Sequence, residues 1–231
     1  MNLVFIKKCA LVLFFLIFFK VQAFDINEFN NYSYFFEKEH LLQTLEELKS
    51  SNFSLLPIQL PQHILSLPKI TPEDWPQRWF PLLSLDKDIP PFLNSDLRSE
   101  MNELGLFFEK IVNESLSGQL ISLTLDHPYI LSEHFKKTIV TTSGWHPDLG
   151  FCRVIIPLHT PTTMYTTQEA LEYENVIDPE FVIPASILLH TALIFTGKDA
   201  NIIKKLPLWH SRPDGDHSRS LLVFDYVVSD S

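Results

Sequence analysis

The chain has 231 residues and a formal charge of −10 at pH 7, and 45% of its residues are hydrophobic. This acidic balance argues against a nucleic-acid-binding protein, because phosphate contacts require a basic surface. The apolar content is sufficient for one sizeable folded core.

The first 23 residues have the pattern of a secretory signal peptide. Lys7 and Lys8 supply positive charge, an apolar run of 11 residues extends from Cys9 to Phe19, and Val21-Gln22-Ala23 resembles a cleavage site. A membrane-spanning helix needs about 20 apolar residues, although an uncleaved anchor is the alternative. We therefore expect export to the cell exterior, a periplasm or the ER lumen, without stable membrane insertion after cleavage.

Residues 24–120 read as a helical and proline-rich part that packs on the rest of the chain. Ser33 can cap a helix from Tyr34 to Lys49, and Asn94 or Ser95 can cap a second helix from Asp96 to Leu116. The segment between them contains eight prolines, which predicts extended pieces along the surface. Removal of the signal leaves Cys152 as the only cysteine, so no intramolecular disulfide is expected.

Residues 121–231 contain short β-prone runs separated by turn residues, and the first of these runs begins just before the boundary. The predicted strands are Leu120–Leu125, Thr138–Thr142, Cys152–Leu158, Phe181–Leu189, Ala192–Phe195 and Ser220–Val228. Strands of this length and spacing favour an antiparallel sandwich or barrel. With the helices covering one outer face, the predicted fold class is α+β with a β core.

One group of residues in this part suggests a metal site. His146-Pro147-Asp148 precedes a strand, His210 follows much later, and Arg219 lies nine residues beyond His210. Two imidazoles and a carboxylate on one face of an ion leave three positions open, as non-haem Fe(II) oxygenases require. A nearby guanidinium suits a dicarboxylate co-substrate. The alternative is an ordinary turn at His146 and Asp148, with Arg219 paired to a surface acid such as Asp214 or Asp216.

On these residues the chain resembles the Fe(II)/2-oxoglutarate oxygenases, most closely the aspartyl/asparaginyl β-hydroxylase and proline hydroxylase group. The resemblance covers roughly residues 140–228 and implies a double-stranded β-helix of the jelly-roll or cupin type. It implies that His146, Asp148 and His210 bind Fe(II), and that Arg219 holds the distal carboxylate of 2-oxoglutarate while O₂ is the second co-substrate. Arg153 falls where the family has an arginine near the co-substrate.

The sequence also departs from this pattern. Ile155 stands where the family often has a histidine, and His190 is a rival to His210 as the distal ligand. The implied activity is hydroxylation of an amino-acid side chain in a protein, a peptide or a free amino acid. Two alternatives are an inactive β domain that binds peptide or sugar, and a cupin-type metal enzyme that does not use 2-oxoglutarate. The oxygenase hypothesis predicts ligand atoms roughly 3–4 Å apart and Arg219 in the same pocket.

Overall fold

A computed structural model describes residues 25–69, 79–81, 93–117, 121–135, 145–166, 184–213 and 217–229. The predicted signal peptide and the predicted strand Thr138–Thr142 lie outside the described residues, as do Asp214 and Asp216. Among the described helices, none combines the length and the apolar character that crossing a bilayer demands.

The described chain combines helices with antiparallel strands. The α-helices are α1 (Lys38–Ser50), α2 (Gln62–Leu65) and α3 (Ser95–Val112), with 3₁₀ segments at Ile26–Tyr32 and Lys198–Ile203 and a π turn at Asn113–Ser117. The strands are β1 (Phe53–Pro57), β2 (Trp79–Pro81), β3 (Leu123–Phe135), β4 (Cys152–Pro157), β5 (Met164–Thr166), β6 (Pro184–Ser186), β7 (Thr191–Thr196), β8 (His210–Ser211) and β9 (His217–Val228).

These strands form two antiparallel sheets. The larger sheet has the order β1-β7-β4-β9-β3-β2, and the smaller has the order β6-β5-β8. Both edge strands of the larger sheet, β1 and β2, come from the segment before residue 120. The N-terminal part therefore contributes to the sheet itself as well as covering it.

The two faces of the larger sheet bury different clusters, and β9 shows the alternation clearly. Leu222, Phe224 and Tyr226 belong to the core beneath the helices, whereas Leu221 and Val223 belong to a second cluster that includes Tyr165 of the smaller sheet. Successive side chains of a strand point to opposite faces, so one strand serves both layers. The site described below lies on the face shared with the smaller sheet.

Helix α3 packs closely on the helical face of the larger sheet. Its buried residues are Leu97, Met101, Leu104, Gly105, Phe107, Phe108, Ile111 and Val112. At Gly105 an added Cβ would come within 2.6 Å of Leu125 Cδ2, and the Tyr226 hydroxyl donates a hydrogen bond of 2.8 Å to the Gly105 carbonyl. Glycine at this position lets the helix backbone approach the sheet.

The predicted helices are present, with shifted boundaries. The first begins at Lys38 with Glu37 as its N-cap, so the prediction of Ser33 as cap is wrong, and Ser33 instead ends a 3₁₀ segment. The helix starts late because Phe35 is buried and its carbonyl accepts a hydrogen bond from Gln59 N. The cap of the second helix is confirmed at Asn94, whose side chain accepts from Leu97 N at 2.8 Å.

The strand predictions match in four regions and miss others. β4, β7 and β9 lie close to their predicted bounds, while β3 is much longer than Leu120–Leu125. The predicted strand Phe181–Leu189 is reduced to β6 among the described residues, because the chain turns at Leu189 and His190 before β7. The sequence pattern did not identify β1, β2, β5 or β8, which are two to five residues long.

Candidate metal site

The two predicted histidine ligands are joined through their backbones. His146 and His210 form an isolated antiparallel bridge, in which each N–H donates to the carbonyl of the other at 3.0 Å. Their rings lie on the same side of this bridge, with centroids 4.6 Å apart. Hydrogen bonding between main-chain groups thus brings together two residues that are distant in the sequence.

The loop that carries Asp148 is fixed against the segment after β7. Lys198 N donates to the Asp148 carbonyl and Gly197 N donates to the Phe151 carbonyl, each at 3.0 Å. A Cβ at Gly197 would lie 2.1 Å from the Gly150 carbonyl oxygen, which no side chain could tolerate. Glycine at this position therefore permits the close backbone contact that places Asp148.

His146, Asp148 and His210 converge as one potential ligand set. Each offers a ligand atom, and these atoms lie within 4.8 Å of one another. At a metal–ligand distance of about 2 Å, donor atoms on one face of an octahedral ion lie about 3 Å apart, so the widest separation must shorten before an ion can bind. Rotation of exposed His146 or half-buried Asp148 can provide this closure, because buried His210 is the fixed member of the set.

The chemistry of the donor set fits a divalent cation. Burial lowers the pKa of His210 to about 4, with His146 and Arg153 adding to this effect and Asp148 opposing it. The imidazole is therefore neutral at physiological pH and has a lone pair to donate. Asp148 Oδ2, a buried atom of the set, has no hydrogen bond within the described structure and lies 3.5 Å from His210 Nε2. A bound ion would satisfy this oxygen, and two imidazoles with one carboxylate are a donor set that Fe(II) accepts.

The rival ligand His190 is not part of this group. It lies in the turn before β7 with a φ of 56°, and its backbone pairs with Ile58 and Pro157. Histidine is among the residues that adopt left-handed turn positions, so the occurrence of His190 here does not require a metal. Cys152 is buried, and burial raises the pKa of its thiol, so it has the character of a core residue and not of a nucleophile.

The ligand set opens into a cavity of about 210 Å³. Its lining combines apolar walls with charged groups, namely Leu131, Glu133, His146, Asp148, Arg153, Ile155, Thr163, His210, Arg212, Arg219, Leu221 and Val223. His146 is exposed while His210 is only 6% exposed, so the ligand set runs from the solvent-facing rim inward.

Arg219 lines this cavity, as expected, but it is part of a buried ion pair. It is 3% exposed and lies opposite Glu133 in the register of β9 with β3. Its Nε donates to Glu133 Oε2 at 2.7 Å, its Nη2 also contacts that oxygen, and its Nη1 donates to Thr163 Oγ1 at 3.0 Å. The partner of Arg219 is therefore an acid inside the cavity.

Arg153 also lines the cavity and contacts two carboxylates. Its Nη2 donates to Asp225 Oδ2 at 3.0 Å and its Nε donates to Asp225 Oδ1, which makes a two-point contact. Its Nη1 lies 2.8 Å from Asp148 Oδ2, a distance typical of an ion pair, although the contact lacks the angles of a hydrogen bond. Burial would lower the pKa of Arg153, but the carboxylates of Asp148 and Asp225 outweigh it and raise the pKa.

Sequence reasoning missed several members of the site. Glu133, Thr163 and Arg212 line the cavity, and Tyr129 donates to Asp225 Oδ2 at 3.1 Å. Arg212 could have been predicted from the sequence, because it lies only two residues beyond the candidate ligand His210. Glu133 had none, because its role depends on the register between β3 and β9.

Comparisons with known proteins locate a similar fold. No protein-family model matches the chain, and no curated protein matches it. Among solved structures, a candidate oxygenase from Shewanella oneidensis superposes with a TM-score of 0.52 at 11% identity, over 82% of this chain and 86% of that one. The chain shares the fold of that protein.

Two more distant structures have TM-scores of 0.47. A prolyl-4-hydroxylase from Pseudomonas putida matches at 11% identity over 82% of this chain and 93% of its own. HygX from Streptomyces hygroscopicus, solved with iron bound, matches at 13% identity over 80% of this chain and 85% of its own.

Proposed function

We propose that this protein is an exported Fe(II)/2-oxoglutarate-dependent dioxygenase that hydroxylates an amino-acid side chain. The observation that carries the proposal is the convergence of His146, Asp148 and His210 at a cavity that also contains Arg219. The fold shared with the Shewanella protein supports it. In this proposal the two facing sheets are those of a double-stranded β-helix.

The three proposed ligands would hold the iron and leave three coordination positions toward the cavity. When bound, Fe(II) with 2-oxoglutarate and O₂ supplies oxidative decarboxylation to succinate and CO₂ together with hydroxylation of a C–H bond. His210 contributes a neutral imidazole, since its lowered pKa prevents protonation near neutral pH. Leu131, Leu221 and Val223 contribute apolar walls that limit the access of water.

The position of Arg219 favours 2-oxoglutarate over a cupin-type reaction without it. A solvent-facing Arg219 would have favoured the cupin alternative, but Arg219 is buried in the cavity that the ligands share. We propose that the co-substrate's distal carboxylate approaches the Nη1 side of the guanidinium, where Thr163 is the neighbour. The ion pair with Glu133 partly neutralises this cation, so the affinity for 2-oxoglutarate depends on both residues.

The substrate is proposed to be an amino-acid residue in a protein or peptide, or a free amino acid. This part of the proposal rests on the resemblance to the β-hydroxylase and proline hydroxylase group, carried by His146-Pro147-Asp148 and the segment from His210 to Arg219. Because His146 is exposed, we propose that the substrate enters the cavity from the side on which His146 lies.

The test is a two-stage assay of the protein without its first 23 residues. Anaerobic titration with Fe(II) should show one bound ion, and addition of 2-oxoglutarate and air should then yield succinate. His146→Ala and Asp148→Ala should lose the bound ion, whereas His40→Ala, which removes an exposed histidine of α1, should retain it. Iron binding that survives both ligand substitutions would contradict the proposed site, and iron binding without succinate would support the cupin-type alternative.

Export has a separate test. Expression of the full chain in a secreting host should yield a mature protein that begins at Phe24, as read by mass spectrometry of its N-terminal peptide. Recovery of the intact protein beginning at Met1 in the cytosolic fraction would contradict the export proposal without affecting the iron site.

A further inference from the structure

Arg153 lies at the centre of a chain of polar contacts that leads away from the proposed iron site. The chain runs from Asp148 through the guanidinium to Asp225 and ends at the Tyr129 hydroxyl. Its first member is a proposed metal ligand, and the other three are not. Asp148 belongs to the loop before β4, and the other three residues belong to β4, β9 and β3 respectively.

The strand register keeps the far end of this chain in place. Arg153 is the residue opposite Asp225 in the pairing of β4 with β9, and β4 is flanked by β7 and β9 within the larger sheet. The two-point contact with Asp225 fixes the plane of the guanidinium, because a planar fork meets a carboxylate in one orientation. Arg153 is therefore held by rigid elements on the side away from Asp148.

Asp148 is held much less firmly. Its backbone is fixed by Lys198, but its carboxylate oxygen Oδ2 has no hydrogen bond in the described structure and lies 3.5 Å from His210 Nε2. Arg153 Nη1, at 2.8 Å, lies closer to that oxygen than His210 Nε2 does. The orientation of this carboxylate toward the histidines thus depends on the guanidinium.

We propose that Arg153 is a positioning residue that orients the ligand Asp148, anchored by Asp225 and Tyr129, and that it does not bind the co-substrate. The inference deepens the proposed function, since it rests on Asp148 being an iron ligand. It differs from what the family resemblance implies for Arg153. All three nitrogens of Arg153 contact carboxylates, those of Asp148 and Asp225. Nη1 of Arg219 instead contacts the neutral hydroxyl of Thr163, so Arg219 is the better placed of the two to take a further carboxylate.

The two roles predict different defects on substitution. Loss of a residue that orients a metal ligand weakens metal affinity by about 10- to 100-fold. Loss of a residue that binds 2-oxoglutarate instead raises the KM for 2-oxoglutarate and leaves the metal in place. Asp148 and Arg153 also line a second cavity of about 200 Å³.

The experiment measures Co(II) affinity and the visible absorption spectrum of bound Co(II), which reports ligand geometry. Arg153→Leu should weaken Co(II) binding by about 10- to 100-fold and alter the spectrum. Arg153→Lys, which retains a charge but not the fork, should recover part of the affinity. Tyr129→Phe removes only one hydroxyl, at the far end of the chain of polar contacts, and should weaken Co(II) binding to a smaller extent. This variant tests the proposal even if Arg153→Leu does not fold.

Arg219→Leu is the matched control, because it removes a buried guanidinium from the same cavity that contacts Glu133 and Thr163. It should leave Co(II) affinity unchanged and raise the KM for 2-oxoglutarate. Unchanged or tighter Co(II) binding in Arg153→Leu, with a raised KM, would overturn the positioning role. Failure of the wild-type protein to bind any metal would instead overturn the proposed function, so the two failures are distinguishable.

Discussion

His146 and His210 exchange two backbone hydrogen bonds of 3.0 Å, so main-chain pairing brings the two imidazoles close together. A site built in this way depends little on side-chain packing around the first histidine, which is exposed. The second histidine is buried, and its ionisation is therefore linked to folding.

Replacement of His210 should change how stability depends on pH. The pKa of His210 is lowered to about 4 in the folded protein, below its ordinary value of 6.5. The unfolded state then binds a proton that the folded state does not, so stability falls as pH drops from about 6.5 to about 4, by about 3 kcal/mol in total. In urea unfolding of the metal-free protein, His210→Asn should show a shallower decline over this window. An identical decline in both proteins would refute the assignment.

Gly197→Ala should weaken metal binding, although Gly197 is not itself one of the proposed ligands. The new Cβ would meet the Gly150 carbonyl oxygen at 2.1 Å and push away the loop that carries Asp148. Overpacking of this kind costs about 1–3 kcal/mol, and we expect weaker Fe(II) binding as well. Gly150→Ala is the control, because a Cβ at Gly150 meets nothing within 4 Å. Thermal unfolding and iron titration of both variants measure the difference, and equal behaviour would argue against the close contact.

Glu133→Gln should strengthen the binding of 2-oxoglutarate. The substitution keeps the side-chain shape but removes the negative charge beside Arg219, so the guanidinium attracts a carboxylate more strongly. The KM for 2-oxoglutarate should fall several-fold, while the stability should drop by about 1–3 kcal/mol because a buried charge loses its partner. Initial rates of succinate formation provide the measurement. A raised KM would mean that Glu133 positions Arg219 and does not merely neutralise it.

Lys205→Met should destabilise the protein without changing the proposed metal site. The Lys205 ammonium donates to the carbonyls of Leu48, Lys49 and Ser51 at 2.8–2.9 Å, and so caps the C-terminus of α1. Loss of a charged donor to helix-end carbonyls should cost about 1–2 kcal/mol. Lys204→Met, at the exposed neighbouring position, should change stability by less than about 0.5 kcal/mol. Similar losses in the two variants would show that the cap contributes little.

Local patterns in the sequence were sufficient for the helices and for the ligand candidates. The apolar spacing of α3 and its Asn94 cap depend on neighbours within four residues, and His146 with Asp148 share one turn. Such features are encoded by adjacent residues, so a single sequence reveals them.

Features that depend on long-range pairing could not be predicted in this way. β5 and β8 are three and two residues long and have too little pattern to detect, yet β8 begins with His210. The partners Glu133 and Asp225 are determined by strand register, because each lies opposite an arginine on the neighbouring strand. A single sequence contains no direct signal for that register.

The alternation along β9 sets a limit on how this protein can vary. Arg219, Leu221, Val223 and Asp225 occupy one side of the strand, and Ser220, Leu222, Phe224 and Tyr226 occupy the other. Loss or gain of a single codon at the start of this strand would exchange its two sides, placing Arg219 and Asp225 under the helices and the rings of Phe224 and Tyr226 beside the proposed metal site. Descendants of this gene can therefore exchange residues along the strand, but frame-preserving insertions and deletions should be confined to the loops at its ends.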